Sequence, residues 1–490
     1  MRYLYRICLL ALLLACLPVA AQPITLDQAV ERARTQSVAA LQARQSFIST
    51  YWAWRSYQAS RLPSLTLYGD IMNYDRSLNL LQSYEDGSMH YVSTHNLHNS
   101  IGLRMRQNIT ATGGTLTLYS DLTRTDQFGR FKGLTWYTQP VSLAYTQPIF
   151  AYNAFKWAKR IEPKEYEKGR RQYLEAMEKL TQTAVERYFS LLLAQVNSEN
   201  ARTNCRNTQA MAAVARERMR LGSVNRDEYL QLELRLLNDS LSVVEHDVSV
   251  REARMALNSI LGLDERAEVE PVWEERLPDI WIDYEMVLRK AHDNGVSPLD
   301  NELEILQSEA AVAKAKSERG LSVGLNARFG LSKTDPLLDE TFRHPLDQEV
   351  VGLSFSIPIF DWGLGKGRVQ KARAALELSR AKVLQAENDF RREVFTAVGQ
   401  FNNQGRQCGV SRRAKEIAQE RYELTMERFR SGNASVTDLN TARSENDTAI
   451  RQYVSDIGAY WRYYYALRKM ALYDFLRNED IDVDFMEMVK

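Results

Sequence analysis

The sequence predicts an α+β fold in which a set of strands leads into one very long helix, and the set occurs twice. Three observations predict it. The first is a repeat: Thr146-Gln147-Pro148-Ile149-Phe150 recurs 210 positions later as Ser356-Ile357-Pro358-Ile359-Phe360, and Glu217-Arg218-Met219-Arg220-Leu221-Gly222 recurs at the same offset as Glu427-Arg428-Phe429-Arg430-Ser431-Gly432. The 74 residues from each proline to each glycine are therefore a part of fixed length. The second is an upstream match at another offset: Ala33, Val38, Leu41 and Leu67 align with Ala291, Val296, Leu299 and Leu325 at a spacing of 258. The difference of 48 residues is an insertion in the first half, between Leu67 and Pro148. The third is a switch of hydrophobic period from two to helical on passing each Pro-Ile-Phe.

The chain opens on an export signal, residues 1–21. Arg2 and Arg6 precede an apolar stretch from Ile7 to Leu17, and small residues at Val19 and Ala21 suit cleavage after Ala21. A rival reading takes Leu13-Leu14-Ala15-Cys16 as a lipoprotein box with Cys16 acylated, which would add a membrane anchor; Leu14 is bulky for that box. Net charge is +1 with both signs mixed, which indicates no nucleic acid or other polyanion as partner. No later apolar run reaches the roughly 18 residues of a membrane helix. A barrel stays open.

The strands come next. Leu65, Leu67 and Ile71 alternate with Thr66, Tyr68 and Asp70, and Val141, Leu143 and Tyr145 with Ser142, Ala144 and Thr146. In the second half, Leu321, Val323, Leu325, Ala327, Phe329 and Leu331 form one such series and Val351, Leu353, Phe355 and Ile357 another. One apolar and one polar face suit either a membrane barrel or a soluble sheet on a core. The insertion adds a hairpin at 99–126, with Ile101, Leu103 and Met105 facing Leu116, Leu118 and Leu122 across the turn Thr110-Ala111-Thr112-Gly113-Gly114. It is either an extra barrel hairpin or an extracellular flap. Longer polar connections are expected at about 75–98 and 125–136.

Everything else reads helical. Residues 170–221 hold neither Gly nor Pro, and Val185, Phe189, Leu192 and Val196 fall at helical spacing. A helix from Pro163 to Leu221 is about 87 Å long, and one from Lys366 to Arg430 about 98 Å, lengths that demand coiled-coil partners. Gly399, Gly405 and Gly409 suggest a bend or a close helix contact in the second. Each long helix ends at a tip glycine and returns, in helices near 225–261 and 435–477. The domains are then a first repeat over 22–262, a joining segment over 263–297 that packs as a belt, a second repeat over 298–477 and an acidic tail over 478–490. Cys205 and Cys408 sit 17 and 24 residues before their tip glycines. That is a height mismatch of roughly 10 Å, beyond disulfide reach, so both read as small core residues.

In this order and with an export signal, the chain resembles the TolC-like outer membrane efflux protein family. The marks are Thr25-Leu26-Asp27-Gln28-Ala29-Val30, Arg61-Leu62-Pro63-Ser64-Leu65, the two Pro-Ile-Phe boxes, Phe360-Asp361-Trp362-Gly363 and Arg-x-x-x-Gly at both tips. The resemblance implies a homotrimer: one β-barrel in outer-membrane lipid and one α-helical coiled-coil barrel through the periplasm. It also implies a periplasmic adaptor (membrane fusion) protein and an inner-membrane pump as partners. By it, Leu221, Gly222, Ser223 and Val224, with Ser431, Gly432, Asn433 and Ala434, are adaptor-docking tips. Asp438, six residues past Gly432, and its counterpart Glu228 are the periplasmic gate. Thr441 stands where the family pattern puts a second carboxylate, so the ring is thinner. Three Asp438 side chains near an axis would repel, bind cations and titrate high.

Other constellations are weaker. His90, His95 and His98 cluster in an expected external loop, where solvated histidines are commoner than a metal site. Tyr460, Trp461, Tyr463, Tyr464 and Tyr465 read as helix packing, and Trp136 with Tyr137 as an interfacial girdle. No phosphate loop, nucleophile elbow or His-Glu-x-x-His occurs, so no enzyme and no cofactor is expected. The expected function is a passive exit duct of a tripartite efflux or type I secretion system. The alternative is a structural periplasmic coiled-coil protein with a soluble β head, which would need no detergent for extraction.

Overall fold

The computed structural model describes residues 22–489, apart from 83–86, 130–131, 223, 273–276 and 432. The export signal, Cys16, Ser223 and Gly432 thus lie outside the described residues. In chain order the elements are β1 (Gln22–Ile24), α1 (Leu26–Gln36), α2 (Val38–Ser60), β2 (Ser64–Gln82), β3 (Met89–Ile109), β4 (Gly114–Phe128) and β5 (Gly133–Ile149). Then follow α3 (Ala154–Arg220), α4 (Arg226–Leu261), β6 (Val269–Pro271), α5 (Tyr284–Asn294), α6 (Val296–Arg319), β7 (Ser322–Asp335) and β8 (Leu346–Ser356). The chain finishes with α7 (Leu364–Arg430), α8 (Val436–Ala471), β9 (Tyr473–Asp474) and β10 (Glu479–Asp480).

The duplication holds at the level of element ends. α3 and α7 are both 67 residues long, α4 and α8 both 36, and all four boundaries of the second pair follow the first by the 210 positions read from the sequence. α2 and β2 begin 258 positions before α6 and β7.

One compact unit comprises Ser49–Gly169 and Leu299–Ala386. It holds a six-stranded antiparallel sheet in the order β2-β3-β4-β5-β7-β8. The insertion is the pair β3–β4, zipped into the middle of this sheet. It joins the sheet and is not a flap. The expected long connections are a correction: β2 and β3 pair out to Gln82 and Met89, and β4 and β5 out to Gln127 and Gly133. Their polar side chains bond to each other within the sheet, as in Asn79 Nδ2 to Thr94 Oγ1 at 2.7 Å and His98 Nδ1 to Thr125 Oγ1 at 3.0 Å. Polarity there marks a wet strand face, not a loop. His95 and His98, three apart on β3, fall on opposite faces.

Cross-strand partners form an apolar and a polar row, the apolar one ending on β8 at Glu349 opposite Phe329. Leu65, Met105, Leu118, Leu143 and Phe329 are successive partners from β2 to β7. The neighbouring row on the other face runs Thr66, Arg104, Tyr119, Ser142, Gly330 and Gln348. On that polar face the Arg104 guanidinium lies 4.1 Å from the Tyr68 ring centre, and Tyr68 donates its hydroxyl to Asp121. Gly102 makes this possible, because a Cβ there would meet the Tyr68 ring at 2.8 Å. Among the described residues no core covers the apolar face: Leu65 is 71% exposed and Phe355 74%. On that face Arg124 lies 5.6 Å from the ring of Trp136.

Two caps fix where the long helices begin. Asn153 accepts from Lys156 N at 3.0 Å and starts α3 ten residues before Pro163, which therefore stands inside the helix and not at its first turn. The proline forgoes one helical hydrogen bond; a real N-cap outranks it as a start signal. Asp361 accepts from Gly363 N at 2.9 Å and Gly365 N at 2.7 Å, which explains the Phe-Asp-Trp-Gly box at the entry to α7.

The other unit comprises residues up to Ile48, Arg170–Pro298 and Glu387 onward. Thr25 and Gln28 form a capping box on α1, and β1 pairs in parallel with β6 of the joining segment. One core gathers Val185, Val394, Val398, Phe401, Tyr460, Tyr464 and Leu467; another gathers Ala29, Ala33, Tyr188, Leu191, Leu257 and Leu261. The aromatic run of α8 is packing, as expected: Tyr460 sits 5.0 Å from the Phe401 ring, and its hydroxyl donates to Pro278 O at 2.7 Å. Burial pushes the Tyr460 and Tyr464 hydroxyls far up, and Tyr465 to about 12.

α8 ends at Ala471, six residues short of the expected 477, because Leu472 turns left-handed at φ 45°. Beyond it Asp474 accepts from Tyr464 at 2.6 Å and pairs with Arg468 at 2.7 Å. Arg468 also pairs at 2.9 Å with Glu178, which is fully buried and held at 3.0 Å by Arg34 as well. α7 runs unbroken through Gly399, Gly405 and Gly409; of these three only Gly405 meets a neighbour, the Tyr460 ring at 3.9 Å. Cys408 is buried, and burial pushes its thiol up to about 11; Cys205 is only half-buried, with Ser240 Oγ at 3.6 Å, which corrects its reading as a core residue.

Candidate functional site

The tips are helix ends whose sequences stop the helices by name. Leu221 N donates to Glu217 O, and Gly222 N to Met219 O at 3.0 Å, with Gly222 in the left-handed region at φ 75°. A β-carbon at Gly222 would meet nothing, so the glycine is there for its backbone and not for space. At the second tip Asn433 N donates to Arg428 O at 2.8 Å, five residues back, and Ser431 N to Glu427 O at 3.1 Å. The structure brings the tips together: Arg218 Nη2 donates to Arg430 O at 3.2 Å. Leu221 is 76% exposed, while Val224 and Ala434 are half-buried.

The two gate candidates occupy the same place in their helices, the third position of α4 for Glu228 and of α8 for Asp438. Asp438 belongs to a capping box. Its Oδ2 accepts from Ser435 N at 3.1 Å and Ser435 Oγ at 2.8 Å, and its own N–H donates to Ser435 Oγ at 3.1 Å. Those bonds, the side-chain one first, hold the exposed Asp438 carboxyl below the usual carboxylate range. Within one chain this is the opposite of the high titration expected of a crowded ring. Thr441 bonds its own helix, at Thr437 O.

A cluster that sequence reasoning missed lies just beyond. Arg443, five residues past Asp438, is about 7.5 Å further along α8. It grips Asp239 of α4 with two nitrogens, Nη2 to Oδ1 at 2.8 Å and Nη1 to Oδ2 at 3.0 Å. Thr208 of α3 donates to the same carboxylate at 2.7 Å, and Arg235 approaches it at 3.3 Å. Burial alone would push Asp239 up; the bonds from Arg443 and Thr208 outweigh it and leave the carboxyl low. Asn204 of α3 donates to Asp447 of α8 at 2.8 Å, and Asn207 to Tyr422 of α7 at 3.2 Å. The two helical hairpins are thus tied together near their tips by a buried polar clamp. Its signal was in the sequence: Arg443 occupies the stripe Leu439, Ala442, Asn446, Tyr453, where an apolar residue belongs.

A second feature was legible only in part. Leu230, Leu234, Leu237, Leu241, Val244 and Val248 follow a four-three spacing along α4, and every one is exposed. Val410, Ile417 and Leu424 do the same at sevens on α7. These are coiled-coil seams for which the described residues of this chain supply no cover.

Residues 299–471 match the family model of outer membrane efflux proteins. No curated protein matches the sequence. Among solved structures, the chain is similar to the outer membrane channel CmeC of Campylobacter jejuni, with a TM-score of 0.66 at 15% identity, over 94% of this chain and 88% of that one. It is also similar to the outer membrane protein VceC of Vibrio cholerae, with a TM-score of 0.63 at 14% identity, over 93% and 97%. A third is the open state of the MtrE outer membrane channel of Neisseria gonorrhoeae, with a TM-score of 0.58 at 14% identity, over 94% and 91%. The resemblance to that family, over residues 299–471, and the α+β fold read from the sequence are borne out.

Proposed function

From a chain that carries an outer membrane efflux protein domain and folds as an outer-membrane channel, we propose that three copies assemble into a passive exit duct, opened at its periplasmic tips by an adaptor protein. The observation that carries this reading is the six-stranded sheet, polar on one face and bare apolar on the other. A soluble sheet would bury its leucines on a core; lipid on one side and water on the other makes this pattern stable. The exposed seams on α4 and α7 support assembly with further copies, each seam taking a neighbour's helix as partner.

Gating falls to the tips. The Arg443–Asp239 clamp holds the two hairpins together in the resting state, and Asp438 and Glu228 of three copies ring the entrance. An adaptor docking on Leu221, Gly222, Ser223, Val224, Ser431, Gly432, Asn433 and Ala434 would draw the hairpins apart and break the clamp. Drive comes from an inner-membrane pump, of a tripartite efflux or type I secretion system.

The test is single-channel conductance in planar bilayers, on detergent-extracted wild type, Asp438→Ala and Asp239→Asn. Stepwise conductance supports the duct. Relief of cation block in Asp438→Ala supports the ring, and a higher open probability in Asp239→Asn supports the clamp. Protein that is soluble without detergent and never conducts would overturn the reading in favour of a coiled-coil scaffold with a soluble β head.

A further inference from the structure

The sheet of one chain is an incomplete object. It has two edges, β2 and β8, and among the described residues no strand covers either. Edges left in water are normally guarded by lysine, proline or brevity. Neither strand has a lysine or a proline, and β2 is 19 residues long. The apolar face reaches both edges, with Leu65 71% exposed and Leu67 66% on β2 and Val351 and Leu353 both 66% on β8, where Glu349 interrupts it opposite Phe329. These are the features of strands inside a barrel wall. Six strands are also too few to close alone, since membrane barrels begin at about eight.

Resting on the three-copy duct proposed above, we infer that β2 of each copy pairs with β8 of the next and that the wall is an eighteen-stranded barrel. The insertion β3–β4 supplies six of those strands. With strands about 4.8 Å apart and tilted about 40°, eighteen give a backbone diameter of roughly 36 Å, against roughly 24 Å for twelve. A helix with its side chains is about 10–12 Å across, so a wall of this width does not sieve small solutes and admits helical or unfolded polypeptide. Selection of cargo by size then falls to the helical part and not to the barrel.

The inserted hairpin suits this role because it preserves direction. β2 is antiparallel to β3, β3 to β4 and β4 to β5, so β5 still returns antiparallel to β2, as it would without the pair. Strands can therefore be added two at a time without altering where the chain enters α3.

The experiment is a cryo-electron microscopy reconstruction of the detergent-extracted wild type, with the mass of the same sample measured. The expected result is a trimer with eighteen strands in its wall. A trimer with twelve strands, β3–β4 folded away, overturns this inference and leaves the duct standing. A dimer closing twelve strands overturns both the strand count and the three-copy reading. A particle with no closed barrel overturns the duct reading itself.

Discussion

The two halves of this molecule agree in their helices and disagree in their strands. α3 with α4 and α7 with α8 match residue for residue in length, whereas the first half contributes four strands to the sheet and the second two. The difference shows what each kind of structure tolerates. A sheet grows sideways: a hairpin adds two strands and leaves the register of the others intact. A helical hairpin grows only along its axis, so a change in one moves its tip past the other. Contacts that join the hairpins, Arg218 to Arg430 and Arg443 to Asp239, exist only at equal length.

The largest effect should come from breaking that equality. Removing one heptad from α7 and one from α8 displaces the second tip by about 10 Å, two helical turns. Trimers should be lost, as read by mass in detergent, while the same excision in all four long helices should restore them. Next is the clamp. Arg443→Ala removes the two-nitrogen grip on the buried Asp239 and leaves it only Thr208 and Arg235, and should cost about 3 kcal/mol in denaturant unfolding. Replacing both partners by Met and Leu should cost clearly less than either single change.

Acid sharpens the same contrast between the buried and the exposed carboxylate. Asp239 and Asp438 both titrate below the ordinary carboxylate range. A lowered folded pKa adds stability that is full above the unfolded pKa and lost as pH falls through the folded one. Clamp and cap should therefore survive at a pH where ordinary carboxylates are already protonated, and open-channel probability should rise only below it. Raised titration of Asp438 in the assembled protein, by conductance against pH, would instead reveal the ring of like charges. The smallest effect is at the first tip. Gly222→Ala meets no neighbour and should cost only the left-handed backbone, about 1 kcal/mol in thermal unfolding.

Much of the fold was legible, because its signals are periodic. Alternation over Leu65 to Asp70 and Leu321 to Leu331 is local chemistry, and so is a 74-residue interval that recurs. The tip turns were legible for the same reason, since a helix stop is written in a few residues. The polar ends of the hairpins misled, because Asn79, Thr94 and His98 look like loop residues until a partner strand stands opposite each. Pro163 misled in the same way: Asn153 had already started the helix. The clamp went unread because Asp239 and Arg443 are 204 residues apart: the stripe on α8 marks Arg443 as buried but does not name its partner.

By itself the sequence determined the repeat and its 210-residue offset, the alternation of each strand and the tip turns at which the long helices stop, since propensity, capping and periodicity act over a few residues. Only the tertiary structure decided that β3 and β4 enter the sheet between β2 and β5, that Arg443 is buried against Asp239 and that the seams of α4 and α7 are left bare. Those are questions of which distant surfaces meet. Pairing energy there depends on desolvation and geometry shared by two segments, and neither segment carries that information alone.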